Sequence, residues 1–255
     1  MNIKYLDIKN KILKYKNYLR IKKNFFIRNF NIKFLFRKKL HFIHIGKTAG
    51  SSIRNSLIHF NNSQKKYHFF IYGHSFKLYH LAKKEKYFLT IRNPVNRFVS
   101  GFLSQQNRVK FLIENKITEK ERETFKNFSD ANHLAESLFS DDLAIKTKAG
   151  SAMKNIKHVN DPYTNYFSKE NLIERTPSFV LELEKLDADF YEFCKKLKLE
   201  IIELPKEKKL THKGDYSNNK ELSEGAILNL KKWYKDDFNL YYFILENKKN
   251  WNIGK

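Results

Sequence analysis

The residues best suited to chemistry in this chain lie between His41 and Ser52, in the segment HFIHIGKTAGSS. A short apolar run, typical of a strand, ends there, and a segment with helical spacing begins at Ile53. N–H groups at the start of a helix bind anions, glycines let the backbone come close, and a lysine adds positive charge. We therefore predict a phosphate-binding loop. Its predicted contact residues are Gly46, Lys47, Thr48, Ala49, Gly50, Ser51 and Ser52.

This loop does not match the Walker A motif of ATP-binding and GTP-binding proteins. That motif needs a glycine five residues before the glycine-lysine pair, and His41 occupies this position. A shorter loop for a phosphate or phosphosulfate group is the prediction that remains. The alternative is a solvated turn that contains a lysine by chance, because short glycine-lysine motifs are common.

Two further strands are predicted to end at polar residues. The run from Tyr67 to Tyr72 ends at Gly73 and His74, and the run from Tyr87 to Ile91 ends at Arg92. A histidine can accept a proton near neutral pH, and the guanidinium group of an arginine suits phosphate. Each residue also has a common alternative, the histidine as a structural residue and the arginine as a surface residue.

A helix is predicted immediately after Arg92. Asn93 suits the N-cap and Pro94 suits the first helical position. Apolar residues follow at helical spacing on one face, while Asn96 and Ser100 share another face. The hydroxyl of Ser100 could complete a phosphate site that begins with the arginine.

Alternation of strands and helices predicts an α/β fold with a P-loop-like, central parallel sheet flanked by helices. A fourth strand is predicted from Ser178 to Leu183, a helix from Lys185 to Leu197, and a last helix from Glu221 to Tyr234. Residues 109–160 have weak periodicity and are predicted to be polar helices and loops. Ligands of parallel sheets bind at the carboxyl ends of the strands, so the three strand-end motifs are expected to converge there.

Composition divides the chain into a basic arm, residues 1–39, and a domain, residues 40–255. The net charge is +23, and the first 40 residues contain thirteen Lys or Arg and one acidic residue. The arm, with a possible amphipathic helix from Tyr5 to Ile21 and a strand near residues 30–36, could contact a membrane surface or another polyanion. Biased composition is the alternative explanation.

Composition also indicates where in the cell the protein is expected. A single cysteine, Cys194, allows no internal disulfide and no cysteine metal cluster, and it is expected to be a small core residue. No apolar run approaches the roughly 20 residues needed to cross a membrane, and no signal peptide is evident. We expect a cytoplasmic protein, which the arm could hold at the inner face of the membrane.

Together and in this order, the motifs HFIHIGKTAGSS, YGHSF and FLTIRNPVNRFVSGF resemble the carbohydrate sulfotransferase family, above all the branch of heparan sulfate 2-O-sulfotransferase and its bacterial relatives. The resemblance covers residues 40–245 and is looser in the C-terminal half. It implies a sulfotransferase fold, 3′-phosphoadenosine 5′-phosphosulfate (PAPS) as donor, a glycan hydroxyl as acceptor, and in-line transfer without a metal. The chain departs from the family pattern at Gly46, usually proline, at Ser51, often threonine, and at Asn93, usually aspartate.

The resemblance also implies roles for individual residues. Lys47 and the loop after it would bind the 5′-phosphosulfate, and Lys47 would steady the leaving group. Arg92 and Ser100 would bind the 3′-phosphate, and His74 would be the catalytic base. Lys213 lies where relatives often fold a loop over the nucleotide, and it would reach a phosphate of the donor; the alternative is a solvated loop.

Other functions remain open from the sequence. A polyanion-binding protein with a degenerate nucleotide site would use the basic arm, and a variant small-molecule kinase would need ATP and magnesium. For the transferase, a capsule, lipopolysaccharide or similar glycan is the expected acceptor. The positive net charge favours an acidic one, and no specific nucleic acid is expected. Residues 105–165 are expected to set acceptor specificity, with His158 in the acceptor cleft. Arg54 and Arg97 are expected to form salt bridges, with a contact to donor or acceptor as the alternative.

Overall fold

The computed structural model describes residues 37–110, 118–205 and 221–251. The predicted helix at Tyr5–Ile21, the strand near residues 30–36, and Lys213 lie outside the described residues. Within them, four strands and nine α-helices are present. The strands are β1 (Lys38–Ile43), β2 (Tyr67–Ile71), β3 (Tyr87–Ile91) and β4 (Phe179–Glu182). The helices are α1 (Gly50–Ser63), α2 (Pro94–Lys110), α3 (Glu119–Asn127), α4 (Ala131–Ser137), α5 (Leu143–Asn155), α6 (Lys169–Glu174), α7 (Leu186–Leu197), α8 (Glu224–Trp233) and α9 (Lys235–Trp251).

The four strands form one parallel sheet in the order β2-β1-β3-β4. The predicted α/β fold with a central parallel sheet is therefore confirmed. The chain passes from β1 to β2 on one side and then crosses back to β3 on the other side of β1. The carboxyl ends of β1 and β3 thus border a topological switch point, where ligands of such sheets bind.

Alternating side chains of the strands fill two cores, one on each face of the sheet. Phe42 and Phe88 pack on one face with apolar residues of α1 and α7, including the buried Cys194. Ile43 and Leu89 pack on the opposite face with apolar residues of α9. Because both faces are covered, the strands read as nearly continuous apolar runs.

A third core joins α2, α4, α5 and α8. Residues 109–160 were predicted to be polar helices and loops, but within the described part of this range small buried residues such as Ala131, Ala135 and Ala152 pack the helices together. The predicted helices are present, but the polar character predicted for this range was wrong on their buried face, where the apolar residues are spread over several short helices. The sequence pattern also did not predict α9.

Most predicted boundaries agree with the structure to within a few residues. β3 covers the predicted residues, and α2 begins at Pro94, where the side chain of Asn93 accepts a hydrogen bond from the Val95 N–H (3.0 Å). β1 begins at Lys38, two residues before the expected start of the domain. Across the described residues, no helix combines the length and apolar character needed to span a membrane.

Candidate active site

A cavity of about 1100 Å³ opens at the switch point, beside the loop after β1 and the N-terminal halves of α1 and α2. It brings together most of the residues predicted to form the site. The lining includes His44, Lys47, Ala49, Gly50, Ser51, Ser52, His74, Arg92, Asn96, Ser100, Ser104 and His158. Lys47, His74 and Arg92 follow the ends of strands, and the serine hydroxyls lie on α1 and α2.

The loop between β1 and α1 has the backbone of an anion-binding site. Lys47 and Ala49 both adopt left-handed conformations, with φ of 66° at each residue. Such residues are rare outside glycine, and strain of this kind clusters at functional sites. Ala49 precedes α1 and offers no side chain to cap it. The first N–H groups of α1 therefore have no side-chain cap and are placed to bind an anion.

The two glycines of this loop are explained by space rather than by backbone conformation. Neither Gly46 nor Gly50 has a positive φ. A Cβ atom at Gly46 would lie 2.7 Å from Nδ1 of His158, and one at Gly50 would lie 1.7 Å from Nε2 of His44. The glycines thus let two imidazole rings pack directly against the loop.

Lys47 and Arg92 form the positive side of the cavity. A guanidinium nitrogen of Arg92 donates to the carbonyl oxygen of Lys47 (3.4 Å), which places the two cations side by side. Burial, and then the charge of Arg92, lower the pKa of Lys47 to about 8. Among the described residues no carboxylate forms an ion pair with Lys47. A bound anion would offset both the burial and the repulsion.

Hydroxyl groups of α1 and α2 line the same cavity. Ser51 and Ser52 lie in the first turn of α1, and Ser100 and Ser104 follow one another along one face of α2. Sequence reasoning missed Ser104, although its spacing of four residues from Ser100 was a usable signal.

Thr48 is the exception among the predicted hydroxyls. Its side chain is fully buried, donates to the carbonyl oxygen of Ile45 (2.9 Å), and shares a hydrogen bond of 2.6 Å with the hydroxyl of Thr90. These internal partners argue against the expected contact of the Thr48 hydroxyl with an anion. The side chain ties the loop to β3, and the backbone is what it can offer an anion.

His74 lies in a cluster of three imidazoles. Its ring centroid is 4.1 Å from that of His44 and 5.2 Å from that of His158. Nδ1 of His74 is 3.2 Å from the carbonyl oxygen of His44, so Nδ1–H is the donor and Nε2 holds the lone pair. Burial lowers the pKa of His74, which favours the neutral ring at neutral pH. It can therefore accept a proton at Nε2.

The other two rings are also neutral. Burial, and then the neighbouring His74, lower the pKa values of His44 and His158 to about 3. Sequence reasoning gave His44 no role, because the packing against His74 joins two different strand ends. Among the described residues, no group of three or more histidine, cysteine, aspartate or glutamate side chains is placed to hold a metal ion.

Arg97 supports the loop between β1 and α1. Its Nε donates to the carbonyl oxygen of Gly46 (2.9 Å), and its guanidinium lies 3.5 Å from a carboxylate oxygen of Asp237 on α9. Both side chains are almost fully buried. The expected salt bridge of Arg97 is present, whereas Arg54 is exposed on α1.

An acidic and apolar wall closes the other end of the cavity. It contains Leu183, Glu184, Leu186 and Asp187 near the start of α7. Glu184 accepts hydrogen bonds from the Asn93 N–H and from the amide of Asn96, and thereby joins β4 to α2. The Lys47 end of the cavity is therefore better suited to a phosphate group than the Glu184 end.

The fold and the cavity together define an α/β protein with Lys47 and Arg92 in a cavity at the switch point of its sheet. A sequence model of the sulfotransferase family matches residues 31–243. The chain belongs to this sulfotransferase family, whose enzymes transfer sulfate groups. No curated protein and no solved structure gives a significant match.

Proposed function

We propose that the protein transfers the sulfuryl group of PAPS to a hydroxyl group of a glycan. The observation that carries the proposal is the uncapped start of α1 beside Lys47 and Arg92, in a cavity that also holds a neutral histidine. A donor with two separate phosphate groups suits such a site, because Arg92 and the hydroxyl of Ser100 on α2 line the same cavity as the start of α1. We also propose that the chain belongs to the heparan sulfate 2-O-sulfotransferase branch, which its motifs resemble.

In the proposed reaction the acceptor oxygen forms a bond to sulfur while the bond from sulfur to the 5′-phosphate oxygen breaks. Nε2 of His74 takes the proton of the acceptor hydroxyl. The ammonium group of Lys47 steadies the negative charge that develops on the leaving phosphate. Adenosine 3′,5′-bisphosphate and the sulfated glycan are the products. Positioning and charge stabilisation supply most of the acceleration, as in phosphoryl transfer.

Titration calorimetry with adenosine 3′,5′-bisphosphate tests the donor assignment. We expect binding at micromolar or tighter affinity, and weaker binding of adenosine 5′-monophosphate, which lacks the 3′-phosphate. Ser100→Ala should weaken only the bisphosphate if its hydroxyl contacts the 3′-phosphate. Absence of heat at protein concentrations well above the micromolar range would refute the donor assignment and favour a degenerate site.

Transfer from labelled donor to a panel of glycans tests the chemistry. We expect His74→Ala to lower kcat about 10²- to 10⁴-fold, the usual contribution of a general base, while bisphosphate affinity is retained. His59→Ala is the matched control, because His59 is an exposed histidine on α1 outside the cavity. Near-normal turnover in His74→Ala would remove the histidine from the base role.

A cytoplasmic location and docking of the basic arm on an anionic surface are further parts of the proposal. Removal of residues 1–36 should preserve bisphosphate binding and weaken retention on anionic vesicles or polysaccharide. Unchanged retention would assign that binding to the domain instead of the arm.

A further inference from the structure

The end of the sheet opposite the candidate active site is where all the parallel strands begin. The Lys38 N–H donates there to the carbonyl oxygen of Lys66 (2.9 Å), and the His41 N–H donates to that of Lys86 (3.0 Å). Nζ of Lys66 donates to the carbonyl oxygen of Leu197 (3.3 Å), the last residue of α7. These bonds join the starts of three strands and the end of one helix into a single surface.

This surface, here called the basic face, is covered by lysines. Its members are the exposed lysines at the starts of β1, β2 and β3 and at the end of α7: Lys38, Lys65, Lys66, Lys84, Lys86, Lys195, Lys196 and Lys198. The arm also enters the domain here, at Arg37, whose guanidinium donates to the carbonyl oxygen of Asn61 (3.0 Å). Residues 1–36 contain ten Lys or Arg and one acidic residue. The positive charge of the arm is thus continuous with that of the basic face.

Acidic residues beside the basic face have partners of their own. A carboxylate oxygen of Glu85 lies 3.2 Å from Nε2 of the buried His41, and one of Glu200 lies 3.2 Å from Nε2 of His59. Among the residues that the structure describes, six lysines of the face form no ion pair: Lys38, Lys65, Lys66, Lys84, Lys86 and Lys198. Their charge is available to an external anion.

The make-up of the basic face suits a lipid surface better than a nucleic acid. Lysines are flexible point charges, whereas arginine is the side chain best suited to nucleic-acid recognition. Single-stranded nucleic acid also needs open aromatic rings for stacking, but the Tyr67 ring lies under the ammonium group of Lys66, 5.3 Å from the ring centroid. Ile201, three residues after Lys198, is 52 % exposed, and an exposed apolar side chain among lysines suits a membrane interface.

We propose that the basic face binds an anionic lipid bilayer together with the arm. The proposal extends the docking proposed for the arm to the folded domain, and it does not depend on the transfer reaction. Because the cavity with Lys47 and Arg92 lies at the carboxyl ends of the strands, a domain bound in this way leaves its candidate active site open to the solution.

Flotation of the full chain with vesicles tests the proposal at about 150 mM salt, where weak surface attractions are screened. One vesicle contains phosphatidylcholine alone, and the other contains phosphatidylcholine with about one third phosphatidylglycerol. The face variant replaces four exposed lysines of the basic face by glutamine: Lys38, Lys65, Lys84 and Lys86. The control variant replaces four exposed lysines of α3, α5 and α8, and changes the net charge equally: Lys126, Lys146, Lys148 and Lys231.

We expect the wild type to bind the anionic vesicles in preference to the neutral ones. The face variant should bind them about tenfold more weakly or worse, since each lysine close to an anionic surface strengthens binding about fivefold. The control variant should bind like the wild type. An equal loss in both variants, or equal binding of the wild type to both vesicles, would overturn the proposal. So would a face variant that loses affinity for a single-stranded oligonucleotide and keeps its affinity for the vesicles.

Calorimetry with adenosine 3′,5′-bisphosphate on the same three proteins separates this proposal from the proposed function. We expect equal bisphosphate affinity in all three, because the basic face and the cavity lie at opposite ends of the strands. Absence of heat in all three would refute the donor assignment and would leave the lipid result standing.

Discussion

Replacing Gly50 by alanine is expected to destabilise the protein through a single contact, the ring of His44. The new Cβ atom would lie 1.7 Å from Nε2 and 2.0 Å from Cδ2 of that ring, well inside contact distance. Either the ring leaves its place between Phe42 and His74, or the start of α1 shifts. Overpacking of this kind costs about 1–3 kcal/mol. Alanine recovers up to about 1 kcal/mol of that through its better helix propensity.

The sign of the effect should reverse when the ring is absent. In a His44→Ala background, Gly50→Ala is expected to be neutral or to stabilise the protein by about 0.5–1 kcal/mol, because the space is open and the unfolded chain loses freedom. The difference between the two backgrounds is the coupling energy of the pair. Gly73→Ala is a control, since a Cβ there meets nothing within 4 Å.

Urea unfolding of the four proteins, followed by circular dichroism, measures this cycle. For a domain of this size, each kcal/mol also shifts Tm by about 2–4 °C. An equal cost of Gly50→Ala with and without the His44 ring would refute the reasoning. It would mean that something other than the imidazole requires glycine at the start of α1.

Three further predictions concern the support of the site. His158→Asn, in which asparagine tolerates the left-handed backbone, should reduce the loss of stability between pH 7 and pH 5. The pKa of His158 is lowered to about 3 in the folded protein, so the contribution of the neutral ring to the unfolding free energy is complete above about pH 6.5 and decreases as the pH falls. By pH 5 it should have decreased by about 2 kcal/mol, as measured by urea unfolding at each pH. An unchanged pH dependence would contradict this. Thr48→Val should lower the unfolding free energy by about 1–3 kcal/mol and have little effect on bisphosphate affinity. Ser51→Ala should weaken bisphosphate binding in calorimetry and have little effect on the unfolding free energy. The opposite pattern would place the Thr48 hydroxyl in the site. Arg97→Ala should cost about 3–5 kcal/mol in urea unfolding, because it leaves the buried carboxylate of Asp237 without its cation, with the Tyr163 N–H (2.8 Å) still donating to it. A cost below about 1 kcal/mol would contradict a stabilising role of the pair.

The elements that carry strong local signals could be predicted from the sequence. β3 and the start of α2 are examples, because a fully buried strand is a continuous apolar run and the pair Asn93-Pro94 marks a helix start. The weakly periodic region was misread, since the core among α2, α4, α5 and α8 takes a few buried residues, several of them alanines, from each of several helices. Their burial depends on close helix packing, which has no signature in a single segment.

Some residues of the candidate site could also be predicted from the sequence, and others could not. Residue types and strand ends pointed to Lys47, His74 and Arg92, and the switch point of the sheet brings them to one cavity. The role of Thr48 could not be predicted, because its hydrogen bond to Thr90 joins residues 42 positions apart. The same holds for His44, which meets His74 only when β1 and β2 pair.

The sequence by itself thus determined the family, the parallel α/β class and the groups that surround the proposed anion site, because these depend on local patterns and motif order. The tertiary structure alone decided how those groups are used. In the structure, Gly46 and Gly50 leave room for imidazole rings, and the hydroxyl of Thr48 ties the loop to β3. Arg97 supports the same loop, and a lysine-lined cavity lies beside His74. Such assignments depend on contacts between distant segments, and only the packed chain fixes which neighbour fills a given space.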